Sequence, residues 1–226
     1  FCGALVLALG LFTGCDKTHS SQGQGSVQGQ AANQKDVAFQ NYVVAYNKFL
    51  EPMGGLETSL NNFLKDQTPA PVIAKNGDIP PMTIVAFNYV SLGVDALQEG
   101  VQSSNAQNGA VDATAKALLE KVQALQVKAK EFNAYYTSKK YTEDNWAKDK
   151  AEKDALIQLW KDTIALNHQF GQQISAVNDE KRTKEADALK AKGQVLQADT
   201  LLAISKSKEI LGMLKSNDKL SDFSAT

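Results

Sequence analysis

Apolar residues are laid out along this chain in two different ways. From Ala4 to Phe12 they form a nearly unbroken run, and from Phe39 onward they recur at alternating steps of three and four. The first periodic stripe is Phe39, Tyr42, Tyr46, Phe49, Met53, Leu56, Leu60 and Phe63, widened by Val43, Leu50 and Leu64. A helix turns once in 3.6 residues, so this spacing places all of them along one helical face. Pro52 interrupts the stripe, because proline lacks the N–H and its ring clashes with the preceding turn. The stripe stays in phase across Glu51-Pro52-Met53-Gly54-Gly55, which predicts a kink rather than a reversal.

A second stripe, Val111, Ala115, Leu118, Val122, Leu125, Ala129, Phe132 and Tyr136, predicts another long helix. Between the two, the prolines from Pro69 to Pro81 and Asn76-Gly77 mark a loop. A shorter helix is expected from about Met82 to Glu99, carrying Ile84, Val85, Phe87, Val90, Leu92 and Leu97. The polar stretch from Ser103 to Gly109 reads as a turn. From Asp144 to Lys215 there is no proline. A single helix there would be about 108 Å long, against about 50 and 42 Å for the first and third helices. A break is therefore expected near Val177-Asn178-Asp179-Glu180, with Asn178 or Asp179 as the cap. One long helix is the rival reading. Trp146, Leu156, Trp160, Ile164, Phe170, Ile174 and Val177 would line the first piece. Leu189, Val195, Leu196, Leu202, Ile210, Leu211 and Leu214 would line the second. The expected class is all-α, an elongated antiparallel helical bundle of about four to five helices with coiled-coil-like packing. It would occupy residues 36–215, with 216–226 as a disordered tail.

The apolar run at the start has a different meaning. It is shorter than the roughly 18 residues that a membrane span needs. It closes on Thr13-Gly14-Cys15, and polarity switches at Asp16-Lys17. This is the outline of a secretory signal core ending in small residues, with a cysteine at the cleavage point. It resembles a bacterial lipobox, which makes Cys15 the expected lipidation site and new N-terminus. An ordinary cleaved signal with an incidental cysteine is the blander reading, and Thr13-Gly14-Cys15 favours lipidation over it. Residues 1–14 then read as a signal peptide whose leader is truncated, since the chain opens on Phe1. Cys2 falls inside that signal, so Cys15 would have no partner for an internal disulfide. Each buried acyl CH₂ contributes about 0.8 kcal/mol, and two or more chains hold a protein stably on a membrane. Residues 15–35 would be the lipidated cysteine and a flexible tether of Ser, Gln and Gly, with a reach of roughly 25 Å. The expected location is the bacterial cell envelope, with the domain on the periplasmic or extracellular side.

Composition narrows the function classes. With 226 residues, 43% hydrophobic and 22% charged, the chain suits one globular domain with a real core. Its net charge of −1 comes from 24 basic and 25 acidic residues, so no basic face speaks for nucleic acid. No zinc, phosphate-loop, nucleophile-elbow or calcium-loop motif occurs. His19 lies in the tether, and His168 has no second histidine or cysteine to form a metal site. No metal, no other cofactor and no catalytic residue is therefore expected. Asp149 with Lys153, and Glu180 with Lys184, are i,i+4 pairs of solvated helix faces.

The densest aromatic cluster spans Phe132 to Lys150 and contains Tyr135, Tyr136, Tyr141 and Trp146. These four residues are the candidate binding surface, since aromatics beside lysines can grip a glycan or a peptide. The alternative, which the pattern favours, is a pinned corner between two helices, with Asp144 capping the second. This segment, Tyr-Tyr…Lys-x-Tyr…Asp-Asn-x-Ala-Lys, together with Asn41-Tyr42-Val43-Val44-Ala45-Tyr46-Asn47-Lys48, resembles the YiiG-like family of bacterial lipoproteins. The resemblance covers about residues 36 to 215 and implies a helical lipoprotein domain with no established activity. Two function classes follow. One is a membrane-anchored module, held through the lipid on Cys15, that binds or scaffolds an envelope protein or glycan. The other is a carboxylate-dependent hydrolase or small-ligand-binding protein, with a groove between the first and third helices that Tyr46, Phe49 and Leu125 would otherwise fill.

Overall fold

The computed structural model describes residues 27–52, 54–65, 91–104 and 108–216. The signal segment, Cys15, the loop at 67–81, the stretch 82–90 and the tail beyond Ser216 lie outside the described residues. Six α-helices occur among the described residues: α1 Val27–Phe49, α2 Leu56–Lys65, α3 Val94–Ser103, α4 Ala110–Thr137, α5 Ala147–Ala191 and α6 Val195–Ser216. A 3₁₀ turn at Lys140–Thr142 joins α4 towards α5. No strand occurs among the described residues, and the helices pack as a bundle. The fold is all-α.

The chain divides after Gly171 into two compact units. In the first, the stripes read from sequence are the core. Phe39, Tyr42, Phe49, Leu56, Leu60 and Phe63 are buried, and so is every member of the α4 stripe from Val111 to Tyr136. Helices α1 and α3 run antiparallel. Gly100 lies under Tyr42 near the Ala38 carbonyl, while Gly93 meets Ala45 and Lys48 at the other end. Helices α4 and α5 are antiparallel as well, since Lys121 pairs with Asp162 at 3.4 Å and Lys128 with Glu152 at 3.3 Å. Helix α2 is held to α5 by the buried Trp160, whose indole N–H donates to the Leu56 carbonyl at 3.0 Å. The same indole stacks on Phe63 with ring centres 6.0 Å apart. Phe170 of α5 receives Tyr42 and Tyr46 edge-on from α1.

Several boundaries differ from those expected. The helix does not kink at Pro52 but stops at Phe49 and restarts at Leu56. Gly54 and Gly55 both donate their N–H groups to the Glu51 carbonyl, at 3.3 and 2.6 Å, in the turn that separates the two helices. Helix α1 begins at Val27, inside the stretch read as tether. Gln28, Gln30, Ala31, Ala32 and Lys35 there are all good helix formers. Helix α3 starts at Val94 and runs past Glu99 to Ser103, because Gly93 sits in the left-handed region at φ +85° just before it.

The break expected near Asn178 is not there. Helix α5 passes straight through that point and ends at Ala191. The chain reverses at Gly193, φ +74°. The Gly193 N–H reaches the Lys190 carbonyl at 2.9 Å and the Gln194 N–H reaches Leu189 at 3.0 Å. This pair of bonds is a Schellman motif, which a glycine at that position permits without steric cost. Asn178 and Asp179 therefore sit in mid-helix. The second unit, from Gln172, is an antiparallel hairpin of the end of α5 with α6. Arg182 meets Ser205 at 3.3 Å and Lys190 meets Asp199 at 3.4 Å. Ala186 and Ala198 are fully buried, whereas Val195, Leu196 and Ile210, expected in the core, are exposed.

A Cβ on Gly100 would come within 2.6 Å of the Tyr42 ring, which is itself fully buried. Gly100→Ala is expected to cost about 1–3 kcal/mol in urea denaturation, as an overpacked core does. An unchanged midpoint would mean that Tyr42 has room to move.

Candidate functional site

The corner between α4 and α5 holds the aromatic cluster. Helix α4 ends where Ser138 donates from both its N–H and its hydroxyl to the Ala134 carbonyl, at 3.0 and 2.7 Å, satisfying a terminal acceptor. Lys139 then takes φ +56°, and Asn145 and Trp146 take φ +51° and +64° before α5 begins. Left-handed backbone is uncommon outside glycine. All three such non-glycine residues among those described stand in this one corner. Cross-turn bonds hold them there: Lys139 N–H to Tyr136 at 3.1 Å, Thr142 N–H to Lys139 at 2.9 Å, and Trp146 N–H to Tyr141 at 3.1 Å. Trp146 also lies flat on Tyr141, ring centres 4.5 Å apart.

Tyr135, Tyr136 and Tyr141 are buried, and Trp146 is half-buried. Phe132, Tyr135 and Tyr136 meet one another edge-on or tilted at 5.4 to 6.4 Å. The rings of the four candidate residues thus build the corner, and the hydroxyls of Tyr135 and Tyr136 end on carboxylate acceptors. Tyr136 donates to Asp149, a carboxylate only 2% exposed that is also paired with Lys153 at 3.1 Å. Tyr135 donates to Asp144 at 2.9 Å. Burial, and then the Asp144 bond, push the Tyr135 phenol well above its ordinary range. Asp144 caps α5 as expected, accepting from the Lys148 N–H at 3.2 Å. Partial desolvation opposes its charge. The bonds from Lys148, Tyr135, Trp146 and Ala147 together outweigh it and hold the carboxyl below its usual value of 3.8.

Against the outer side of this wall lies a groove of about 690 Å³. Tyr135 and Ala134 form its apolar side. Its polar lining is Glu131, Ser138, Lys140, Glu143, Asp144 and Lys148. Besides Asp144, two of these charges are already engaged. Glu131 is bridged by Lys128 at 3.0 Å, and Lys148 lies over the Phe132 ring at 5.8 Å. The Lys128 bond lowers the Glu131 carboxyl despite an opposing desolvation. Lys140 and Glu143 are exposed. What the arrangement offers is a rigid, mixed-charge surface rather than a reacting pair.

The aromatic members of this site were legible in the sequence, and its polar members were not singled out. Glu131, Tyr135 and Ser138 do share one face of the last turns of α4 by their three-four spacing. Elsewhere, His168 has a polar partner in Glu57 at 2.5 Å on the surface. Near the groove imagined between the first and third helices, Phe49 and Leu125 are buried and Tyr46 packs on Phe170. Asp149 is the one buried carboxylate among the described residues. No three metal-binding side chains converge among those residues. None of the described helices is long and apolar enough to cross a membrane.

A family model described as "Protein of unknown function (DUF3829)" matches residues 34–226. Neither a curated protein nor a solved structure matches the chain.

Two substitutions test the corner. Tyr136→Phe removes a bond from the buried Asp149 and should lower stability by about 1–3 kcal/mol, read by denaturant titration. Asp144→Asn acts through pH. A depressed folded-state carboxyl stabilises above its unfolded value and loses that contribution as pH falls through the folded one. The wild type should therefore weaken from about pH 4 downward, and Asp144→Asn should show a flatter acid limb. Superimposable acid limbs would place the effect elsewhere.

Proposed function

The chain belongs to the DUF3829 family of proteins of unknown function, and we propose that it is a lipoprotein of the bacterial cell envelope whose helical domain binds an envelope protein. The observation that carries this reading is the apolar run closing on Thr13-Gly14-Cys15. Acylation at Cys15 supplies the membrane affinity, so the domain needs no lipid-binding face of its own. The likeness to the YiiG-like lipoproteins is the finer form of the same assignment and supports it.

The corner groove is the binding site in this reading. Its size suits a peptide segment or a few sugar units, and its charges of both signs suit a polar, mixed-charge ligand. The left-handed turn and the stacked rings fix the wall in advance, so little ordering is lost on binding. Lys140 and Glu143, both exposed, are the charges that would meet the partner.

Expression behind a secretory leader with an alkyne fatty acid tests the anchor. The wild type should take up label and sediment with membranes, and Cys15→Ser should do neither. Label retained by Cys15→Ser would overturn the anchor. Crosslinking in intact cells tests the groove. A partner captured by the wild type should be lost with Lys140→Glu/Glu143→Lys, whereas no capture above the unanchored Cys15→Ser background counts against the binding role. Capture of glycan without protein would reassign the ligand.

A further inference from the structure

The hairpin of the second unit leaves one face of α6 uncovered. Leu196, Thr200, Ala203, Ser207 and Ile210 recur along it at steps of four and three, and all five are exposed. Leu196 is 82% exposed and Ile210 53%. That rhythm is the seam spacing of a coiled coil, and it lies on the side of α6 away from the buried Ala198. The seam is also dry by construction. The Thr200 hydroxyl donates to its own helix at Leu196, 2.8 Å, and the Ser207 hydroxyl to Ala203, 2.9 Å. Both side chains thus spend their polar group internally and can be covered without an unsatisfied donor.

The sequence along this face is symmetric about Ala203. Leu196 and Ile210 stand seven residues to either side, with small residues between them. Asp199 precedes the centre and Lys206 follows it, both on one flank. We propose that this face binds a second copy of the chain, antiparallel about a two-fold axis at Ala203. That pairing sets Leu196 against the partner's Ile210 and Ala203 against the partner's Ala203. It also brings Asp199 beside the partner's Lys206 at both ends. The small central residues let the backbones approach, and the large terminal ones close the seam. The same patch serves both copies, which is the isologous contact that closes a dimer.

Sedimentation of the full chain in detergent, with short-span thiol crosslinking, decides the matter. Wild type should sediment at twice the mass of one chain. Leu196→Lys/Ile210→Lys should halve that mass while its helical circular dichroism stays unchanged. Ala203→Cys in a Cys15→Ser background should crosslink into dimers, and Glu185→Cys on α5 should not. Three results would overturn the proposal: a monomeric wild type, a lysine variant that remains dimeric, or an uncrosslinked Ala203→Cys. A monomeric wild type that floats with anionic vesicles through Leu196 would hand the face to a membrane instead.

Discussion

A core this rich in tyrosine is constrained by where its hydroxyl groups can end. Burying a phenol contributes a large apolar ring, but its O–H left without an acceptor would cancel much of the gain. The hydrogen bonds of the buried tyrosines in the first unit answer that demand. Tyr42 of α1 donates at 2.7 Å to Asp112 of α4, and Asp112 also accepts the Asn108 N–H at 2.6 Å where α4 begins. Tyr136 at the far end of α4 ends on Asp149 of α5, and Tyr135 ends on Asp144 in the corner. Trp160 solves the same problem with a backbone carbonyl of α2. These bonds fix which helix lies beside which, where packing alone would accept several arrangements.

The corner follows from this demand. To bring Asp144 and Asp149 under the two phenols, the chain must leave α4, reverse and enter α5 within a few residues. Lys139, Asn145 and Trp146 absorb that reversal in the left-handed region. Strained backbone of this kind persists only where the surroundings over-determine it. The surroundings here are the stacked Tyr141–Trp146 pair and the capped α5. The groove outside is a by-product of the same geometry, because the turn projects Lys140 and Glu143 past the end of α4.

How much of this was legible depended on the kind of signal. The α1 and α4 stripes were, since a helix packed on one side writes its period directly into the sequence. Every residue of the α4 stripe is buried. The corner was legible as an aromatic cluster with a cap at Asp144. Its groove was not, because Glu131 and Lys140 come together only after the left-handed turn. The misplaced break in the C-terminal stretch has a plainer cause. Asn178 and Asp179 prefer caps, yet a helix already propagating continues through them at little cost. Gly193 after Lys190-Ala191-Lys192 was the stronger stop signal, basic residues followed by glycine.

The apolar residues of α6 carry the sharpest lesson. Leu196 and Ile210 follow a coiled-coil rhythm and so read as core, and the chain's own core does not use them. Within the hairpin, α6 buries the small Ala198 and leaves Leu196 and Ile210 exposed. Periodicity reports that a face is apolar and says nothing of which molecule covers it. Where the folded chain leaves such a face open, and its large, small and charged positions match their own reversed order, the rhythm read as intramolecular packing is better explained by a contact between copies.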